Sequence, residues 1–278
     1  MRQQQHKGKV IIAGAGPGDP DLLTIKTAGW LQRADVVVTD RLVSKEILNR
    51  YVNRNAEIIY AGKQGGRAAS TPQSAINQLL VTHAQQNKLV VRLKGGDVSI
   101  FSNVLDELQT LVKHNIAYEI VPGITAASGA SAYTGIPLTA RGYATATRFL
   151  TSYKPGVVAE AYWAELAQSN DTLVFYMSSE TLDGVVEKLI ENKIGADKWL
   201  AVVEQATTSV QSVHTCKVQD YHGTFGGKTY ISPSLVIVGK VVALYEQFSW
   251  LANNDNAEEY FDPVTGKWIA AKKAAATA

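Results

Sequence analysis

The sequence predicts an α/β protein with two domains, a mainly parallel sheet in the first domain and a mixed sheet in the second. In residues 1–122, five short apolar runs alternate strictly with segments of helical periodicity, a pattern typical of parallel strands joined by right-handed crossovers. Residues 123–140 are rich in glycine, proline and small side chains and predict the junction between the domains. In residues 141–250, the last two apolar runs (210–219 and 234–242) lack an intervening helix, which indicates antiparallel strands.

The elements of the first domain follow from the spacing of their apolar residues. Short apolar runs predict buried strands at 10–13, 35–39, 57–60, 88–93 and 118–121. Helical spacing predicts helices at 22–33, 44–51, 71–86 and 104–115. Thr71-Pro72 is a good helix start, because threonine suits the N-cap and proline the first helical position.

The elements after residue 122 begin with a small-residue helix at 125–133. Strands and helices then alternate over 146–151, 157–167, 171–177, 181–192 and 199–203, before the two runs that lack a helix between them. After Trp250 the chain becomes polar and alanine-rich, so we expect residues 251–278 to form a disordered tail.

Composition and charge exclude several classes of protein. The 278 residues carry a net charge of +2, too small to indicate a nucleic-acid-binding protein. Cys216 is the single cysteine, so no intramolecular disulfide can form, and the five histidines show no metal-ligand spacing. No apolar run approaches the roughly 20 residues of a membrane span, and the polar start of the chain is unlike a secretory signal. We therefore predict a cytoplasmic protein with no metal site and no membrane or nucleic-acid partner.

Three glycine turns follow the first, fourth and fifth predicted strands, at 14–19, 93–97 and 121–128. Ligands of open parallel sheets bind outside the carboxyl ends of the strands, and we expect these turns to meet at one edge. The first turn suggests a dinucleotide site, but Pro17 and Asp19 interrupt that fingerprint. Each turn also has a structural alternative: a tight turn at 14–19, a helix cap at Asp97, and helix packing after 121.

These motifs together resemble the tetrapyrrole (corrin/porphyrin) methylases. The resemblance rests on Gly-Ala-Gly-Pro-Gly-Asp-Pro-Asp-Leu-Leu-Thr at 14–24, Thr-Asp-Arg-Leu-Val at 39–43, Leu-Lys-Gly-Gly-Asp at 93–97, the segment 121–128, and Gly-Ile-Pro-Leu-Thr at 135–139. It extends through 175–177 and 237–242, covers about residues 9 to 250, and is strongest for the uroporphyrinogen-III C-methyltransferase subgroup.

The resemblance implies a two-domain homodimer that binds S-adenosylmethionine in the cleft between the domains and acts on a tetrapyrrole. It implies a twofold C-methylation of uroporphyrinogen III to precorrin-2, on the branch to sirohaem and cobalamin. The cofactor contacts carried over to this chain are Pro17, Gly95, Gly96, Asp97, Ile100, Thr125, Ala126, Met177 and Ala206. Without the family, Met177 would be read as a core methionine, because it ends an apolar strand.

The resemblance also implies the groups that handle protons and bind the substrate. It makes Asp40 a base and Lys63 an acid, although aligning Lys63 requires a one-residue insertion. Without the family, Asp40 would be read as a helix cap and Lys63 as a solvated lysine. The substrate carboxylates need cationic partners, for which the candidates in or near the motif loops are Arg41, Arg67, Arg92 and Arg141. The alternative for each arginine is an exposed surface charge.

The chain departs from the subgroup pattern in three loops. Residues 98–107 lack its proline, arginine and glycines, 140–142 lack its histidine and aspartate, and 152–153 lack its Gly-His pair. These loops are expected to face the tetrapyrrole, so the alternatives are a methyltransferase with another precorrin or acceptor, or a non-catalytic protein that binds cofactor or tetrapyrrole. A nicotinamide-dependent dehydrogenase is disfavoured by Pro17 and Asp19.

Overall fold

The computed structural model describes residues 8–61, 71–151, 158–254, 258–261 and 272–273. The chain divides into two units, the first made of Met1–Thr125 and Phe261–Ala278 and the second of Ala126–Tyr260. The division between Thr125 and Ala126 falls inside residues 123–140, the segment predicted as the junction. Within the described ranges, no helix is long and apolar enough to cross a membrane.

Unit 1 is built on a parallel sheet, as the alternation of strands and helices predicted. Its strands are β1 (Lys9–Gly14), β2 (Val36–Thr39), β3 (Glu57–Tyr60), β4 (Leu89–Lys94) and β5 (Ala117–Val121). Its helices are α1 (Ile25–Leu31), α2 (Lys45–Tyr51), α3 (Gln73–Gln85) and α4 (Val104–Lys113). The five strands are parallel in the order β3-β2-β4-β1-β5, which places the carboxyl ends of β4, β1 and β5 side by side.

Helices cover both faces of this sheet, which explains why its strands are continuous apolar runs. Alternate strand residues point to opposite faces. Ile11, Val37 and Val91 contribute to one buried cluster with residues of α1 and α2. Val10 and Val90 contribute to the other cluster, with residues of α3 and α4. A strand buried on both faces requires apolar side chains at both kinds of position.

The first helix begins later than the sequence pattern predicted. Residues 20–22 form a separate 3₁₀ turn, in which the Asp19 carboxylate accepts a hydrogen bond from the Asp21 N–H (2.8 Å). The α-helix proper starts at Ile25, where the Thr24 hydroxyl caps the Thr27 N–H (3.2 Å). Two capping residues only a few positions apart thus divide the predicted helix into a turn and a shorter helix.

Unit 2 is built on a mixed sheet, as predicted. Its helices are α5 (Ala126–Thr134), α6 (Glu160–Gln168), α7 (Leu182–Glu191), α8 (Tyr221–Thr224) and α9 (Tyr245–Phe248). Its strands are β6 (Thr147–Thr151), β7 (Thr172–Tyr176), β8 (Trp199–Glu204), β9 (Ser212–Lys217) and β10 (Ser234–Gly239). In the order β6-β7-β10-β8-β9, β6 and β7 are parallel and all other pairs are antiparallel.

The last apolar runs differ in detail from the predicted strands. The short helix α8 lies between β9 and β10, where no helix was predicted. Residues 240–244 form a 3₁₀ turn instead of extending β10. Val241 and Val242 are buried in that turn, so their apolar character reflects packing against the sheet and not a strand.

Part of the segment after Trp250, which was expected to be a disordered tail, forms hydrogen bonds and a short strand. The Asn253 side chain accepts a hydrogen bond from the Val213 N–H (2.6 Å) and donates one to the Val213 carbonyl (3.1 Å). Residues 272–273 form the last strand, β11 (Lys272–Lys273), antiparallel to β3. Most of the remaining residues of the predicted tail lie outside the described part of the chain.

Candidate functional site

The three glycine turns of unit 1 meet at one edge of the sheet, as predicted. Gly16 and Gly96 form an antiparallel bridge, with the Gly16 N–H donating to the Gly96 carbonyl (3.1 Å) and the Gly96 N–H donating to the Gly16 carbonyl (2.7 Å). Both have positive φ, +79° and +70°, which glycine adopts without strain. A Cβ on Gly123 would lie 2.3 Å from the Gly96 carbonyl oxygen, so the third turn needs its glycine for close approach.

Asp97 joins two of these turns through its carboxylate. Its Oδ2 accepts a hydrogen bond from the Gly123 N–H (2.9 Å), and its Oδ1 accepts from the N–H and the hydroxyl of Ser99 (both 2.8 Å). Burial opposes ionisation of Asp97, but these hydrogen bonds outweigh it and lower the pKa of the carboxyl. Asp97 therefore presents a fixed negative charge at this edge of the sheet.

Asp40 lies at the carboxyl end of β2, next to β4. Its Oδ1 accepts a hydrogen bond from the Leu42 N–H (3.0 Å), and its Oδ2 accepts from the Gly95 N–H (3.4 Å). The next helix, α2, is capped by the Ser44 hydroxyl, which accepts from the Ile47 N–H (3.2 Å), so the interpretation of Asp40 as a helix cap is wrong. The Asp40 carboxylate instead lies beside the Gly-Gly-Asp turn. Arg41, which follows it, is half-buried. Lys63 and Arg67 lie outside the described residues.

Arg92 belongs to a buried ionic cluster, although the sequence predicted either a substrate contact or an exposed surface charge. Its Nε and the Lys94 Nζ each lie 3.0 Å from Oε1 of Glu107, whose side chain is completely buried. The Arg92 guanidinium also donates to the carbonyls of Val38 and Leu93 (both 3.2 Å). Arg92 is therefore committed to protein groups beneath the strand ends and is neither an exposed charge nor directed at a substrate.

Sequence reasoning missed Lys94 and Glu107. A signal was present, because Glu107 lies in the apolar stripe of α4 with Leu108 and Leu111, at a spacing that puts all three on one face. A carboxylate in such a stripe needs a cationic partner once it is buried. Its partners come from β4, so their identity depends on how α4 packs on the sheet.

The remaining predicted cofactor residues of unit 1 lie in the same turns. Pro17 is buried, between Gly16 and the 3₁₀ turn, and Ile100 and Thr125 are half-buried. Thus six of the nine predicted cofactor residues belong to unit 1: Pro17, Gly95, Gly96, Asp97, Ile100 and Thr125.

The other three belong to unit 2, at the start of α5 and after β7 and β8. The Tyr176 hydroxyl accepts a hydrogen bond from the Ala127 N–H (3.1 Å), which holds the start of α5, and so Ala126, beside the end of β7. Met177 follows directly, with φ of 54° and a side chain that is 60% exposed, so it is not a core methionine within this unit. Ala206 is buried in one cluster with Ala127. The remaining predicted substrate residue, Arg141, is exposed.

No group of three or more histidine, cysteine or carboxylate side chains that could hold a metal ion occurs among the residues that the structure describes. Cys216 is buried, and burial raises the pKa of its thiol to about 11, so it is a poor nucleophile. Among the described residues, the turns present the carboxylates of Asp40 and Asp97 beside closely packed glycine backbone.

The chain is similar in sequence and structure to known proteins. The family model described as Tetrapyrrole (Corrin/Porphyrin) Methylases matches residues 9–221. Siroheme synthase 2 of Yersinia enterocolitica is 44% identical over 252 residues, which are 91% of this chain and 52% of that protein. The chain thus spans about half the length of the curated relatives it matches.

Two solved structures from Thermus thermophilus are similar over almost their whole length. The crystal structure of uroporphyrin-III-C-methyltransferase is 33% identical, with a TM-score of 0.72, and the match covers 88% of this chain and 98% of that one. A structure of the enzyme complexed with S-adenyl homocysteine is 31% identical, with a TM-score of 0.70, and the match covers 85% and 100%. With the motif turns assembled as described, these matches show that the chain belongs to the tetrapyrrole (corrin/porphyrin) methylase family.

Proposed function

We propose that this protein is an S-adenosylmethionine-dependent C-methyltransferase that converts uroporphyrinogen III into precorrin-2 by two methyl transfers. The observation that carries the proposal is the meeting of three motif turns around Gly16, Gly96 and Gly123, with the Asp97 carboxylate held ionised beside them. The similarity to a uroporphyrin-III-C-methyltransferase over nearly its full length supports the choice of reaction.

The proposed cofactor contacts are the nine residues carried over from the family, six from unit 1 and three from unit 2. Their chemistry fits S-adenosylmethionine. The Asp97 carboxylate and the carbonyl oxygens of the half-buried Gly95 and Gly96 can accept hydrogen bonds from hydroxyl and amine groups. The exposed thioether chain of Met177 and the methyl group of Ala206 offer apolar contact for a purine ring.

S-adenosylmethionine supplies an electrophilic methyl group, which is transferred to a pyrrole carbon with S-adenosylhomocysteine as the other product. Asp40 accepts the proton that must leave as the pyrrole regains its neutral form. Its hydrogen bonds to the Leu42 and Gly95 N–H groups fix the carboxylate next to the proposed cofactor turn. Orientation of the two reactants by these fixed loops contributes most of the rate acceleration.

The proposed substrate contacts are Arg41 and Arg141, which pair with carboxylates of the tetrapyrrole. Arg41 adjoins the proposed base, and Arg141 is exposed. Arg67 as a further contact and Lys63 as an acid stay predictions from the family resemblance. Arg92 is set aside because Glu107 and two carbonyls already occupy its guanidinium.

The test is anaerobic incubation of the purified protein with S-adenosylmethionine and enzymatically generated uroporphyrinogen III, followed by mass and absorbance analysis of the products. We expect mono- and dimethylated products. Asp40→Asn, which keeps the acceptor for the Leu42 N–H, should abolish turnover and leave cofactor binding intact. Asp35→Asn, at the opposite end of the same strand, is the matched control and should keep nearly full activity.

A second candidate is methylation of a different acceptor by the same fold. It is favoured by the loop at 98–103, which lacks glycine but holds Phe101 and Asn103 at positive φ (50° and 59°). Residues with a Cβ adopt this conformation only where the surroundings impose it, so the loop has a shape of its own. Methyl transfer to a later precorrin, with none to uroporphyrinogen III, would decide for this candidate. Cofactor binding without any turnover would decide for a non-catalytic carrier.

We also propose that the protein is a cytoplasmic homodimer, as the family resemblance implies. In support of the dimer, β5 lies at one edge of the described sheet, with Tyr118 and Ile120 more than two-fifths exposed. Leu105 and Val112 of α4 are also exposed, at 63% and 59%. An exposed edge strand with apolar side chains favours association. Light scattering coupled to size-exclusion chromatography tests this, and a strictly monomeric protein would refute it.

A further inference from the structure

The loop after β8 holds Ala206 between two residues with a left-handed backbone. Gln205 has φ of 48° and Thr207 has φ of 69°. Left-handed conformations are unfavourable for residues with a Cβ, and most of all for a β-branched residue such as threonine. They persist only where surrounding contacts determine the backbone, so the contacts of these two residues show what holds the loop.

Gln205 is held by main-chain groups from the C-terminal part of unit 2. Its side chain is 1% exposed, and both ends of its amide are used. Nε2 donates to the Glu258 carbonyl (2.7 Å), and Oε1 accepts from the Tyr260 N–H (2.7 Å). Its own N–H donates to the Pro233 carbonyl (2.7 Å). The side chain of Gln205 thus connects the loop to residues more than 50 positions later in the chain.

Thr207 is held from the other side of the loop. Its N–H donates to Oε1 of Gln211 (2.8 Å), a side chain that is 4% exposed. The Gln211 Nε2 donates to the Tyr133 carbonyl in α5 (3.3 Å), and the Gln211 carbonyl accepts from the Asn254 N–H (3.0 Å). The same C-terminal stretch therefore contacts the loop directly through Gln205 and reaches Thr207 indirectly through Gln211.

We propose that residues 253–254 and 258–260, here called the C-terminal brace, hold the 204–208 loop in the conformation that binds S-adenosylmethionine, with Gln205 as the positioning residue. This inference rests on the proposed function, in which Ala206 contacts the cofactor. Without the brace, the strained loop relaxes, and only a fraction of the molecules keep the binding conformation. The apparent dissociation constant for the cofactor then equals the intrinsic constant divided by that fraction.

The first test measures S-adenosylhomocysteine binding by calorimetry with the full chain. Gln205→Leu keeps the size of the side chain and removes both hydrogen bonds to the brace. We expect its affinity to fall about tenfold or more, because two buried hydrogen bonds that favour the competent loop are lost. The matched control is Gln219→Leu in the same unit, whose side chain donates to the Ile194 carbonyl (3.1 Å). The control should bind within about twofold of the wild type.

The second test removes the part of the brace that Gln205 contacts. A chain that ends at Asn254 lacks residues 258–260, and a chain that ends at Phe261 keeps them. The first should lose about as much affinity as Gln205→Leu, and the second should bind like the wild type. Combining Gln205→Leu with the end at Asn254 should cost no more than either change alone, because both remove the same interaction.

A positioning role predicts more than a loss of stability. The KM for S-adenosylmethionine should rise in Gln205→Leu more than kcat falls. If Gln205→Leu does not fold, the two shortened chains still decide. This inference alone would be overturned if every folded variant that lacks a brace contact bound S-adenosylhomocysteine within about twofold of the wild type. A wild-type protein that does not bind S-adenosylhomocysteine would overturn the proposed cofactor site and this inference with it.

Discussion

Replacing Glu107 with alanine should destabilise unit 1 strongly, because two buried cations depend on one carboxylate oxygen. Arg92 Nε and Lys94 Nζ each lie 3.0 Å from Oε1, and both cationic side chains are only 5% exposed. Removing one member of a buried ion pair costs about 3–5 kcal/mol, since the remaining charge is left uncompensated. With two cations left, we expect the upper end, about 5 kcal/mol, which is comparable to the whole stability of many domains.

The stability lost in Glu107→Ala should also depend on pH, which provides a second test. Burial and the neighbouring Arg92 lower the pKa of Lys94, and Glu107 acts in the opposite direction. Glu107→Ala should therefore lower that pKa further. A lysine with a depressed pKa loses its proton first in the folded state, so stability rises with pH between the folded and unfolded pKa values. The deficit of the variant should be largest at neutral pH and shrink as the pH approaches 10.5, the ordinary lysine value.

The assay is urea unfolding followed by circular dichroism, with the m-value checked for constancy. The control is Glu165→Ala, whose side chain is 57% exposed and whose partner, Arg148, also pairs with Asp171. It should cost less than about 1 kcal/mol. A Glu107→Ala protein within about 1 kcal/mol of wild type at neutral pH, or a deficit that is the same at all pH values, would refute the reasoning.

Four further outcomes are expected. Gly29→Ala, in a helix with no atom within 4 Å of the new Cβ, should raise the free energy of unfolding by about 1 kcal/mol in thermal melts. Gly123→Ala should lower it by about 3 kcal/mol, because its Cβ would meet the Gly96 carbonyl; unchanged stability would contradict the turn geometry. Cys216, with its thiol pKa raised to about 11 by burial, should react with a disulfide reagent only after unfolding. Hydrogen bonds from two lysines lower the pKa of Glu119 to about 2, so its stabilisation is complete above about pH 4.5 and lost as the pH falls towards 2. Glu119→Gln should accordingly flatten the acid branch of the stability curve, and an unchanged branch would argue against the pairing.

The sequence predicted those parts of the fold that depend on local periodicity. Strands β1, β2 and β4 are apolar at successive positions because helices cover both faces of the sheet, and such runs are easily recognised. The 3₁₀ turn before α1 was missed because Asp19 and Thr24 both suit an N-cap, and periodicity cannot tell which of them starts the helix.

The candidate site was predictable only where it follows from strand order. Adjacent parallel strands end at one edge, so the turns at 16, 96 and 123 could be expected to meet. The ionic cluster around Glu107 and the hydrogen bonds of Gln205 join residues far apart in the chain, and their geometry depends on packing that no local pattern encodes.

The position of β1 in its sheet has a consequence for how the chain folds as it is made. β1 pairs with β4 on one side and β5 on the other, so Lys9 first meets its partner Leu89 some 80 residues later. At about 5–20 residues per second, the ribosome takes roughly 4–16 s to reach that point. Throughout this interval the apolar segment Val-Ile-Ile-Ala has both of its hydrogen-bonding edges open. The nascent chain should thus be most prone to misassembly, and most dependent on chaperones, before β4 and β5 emerge.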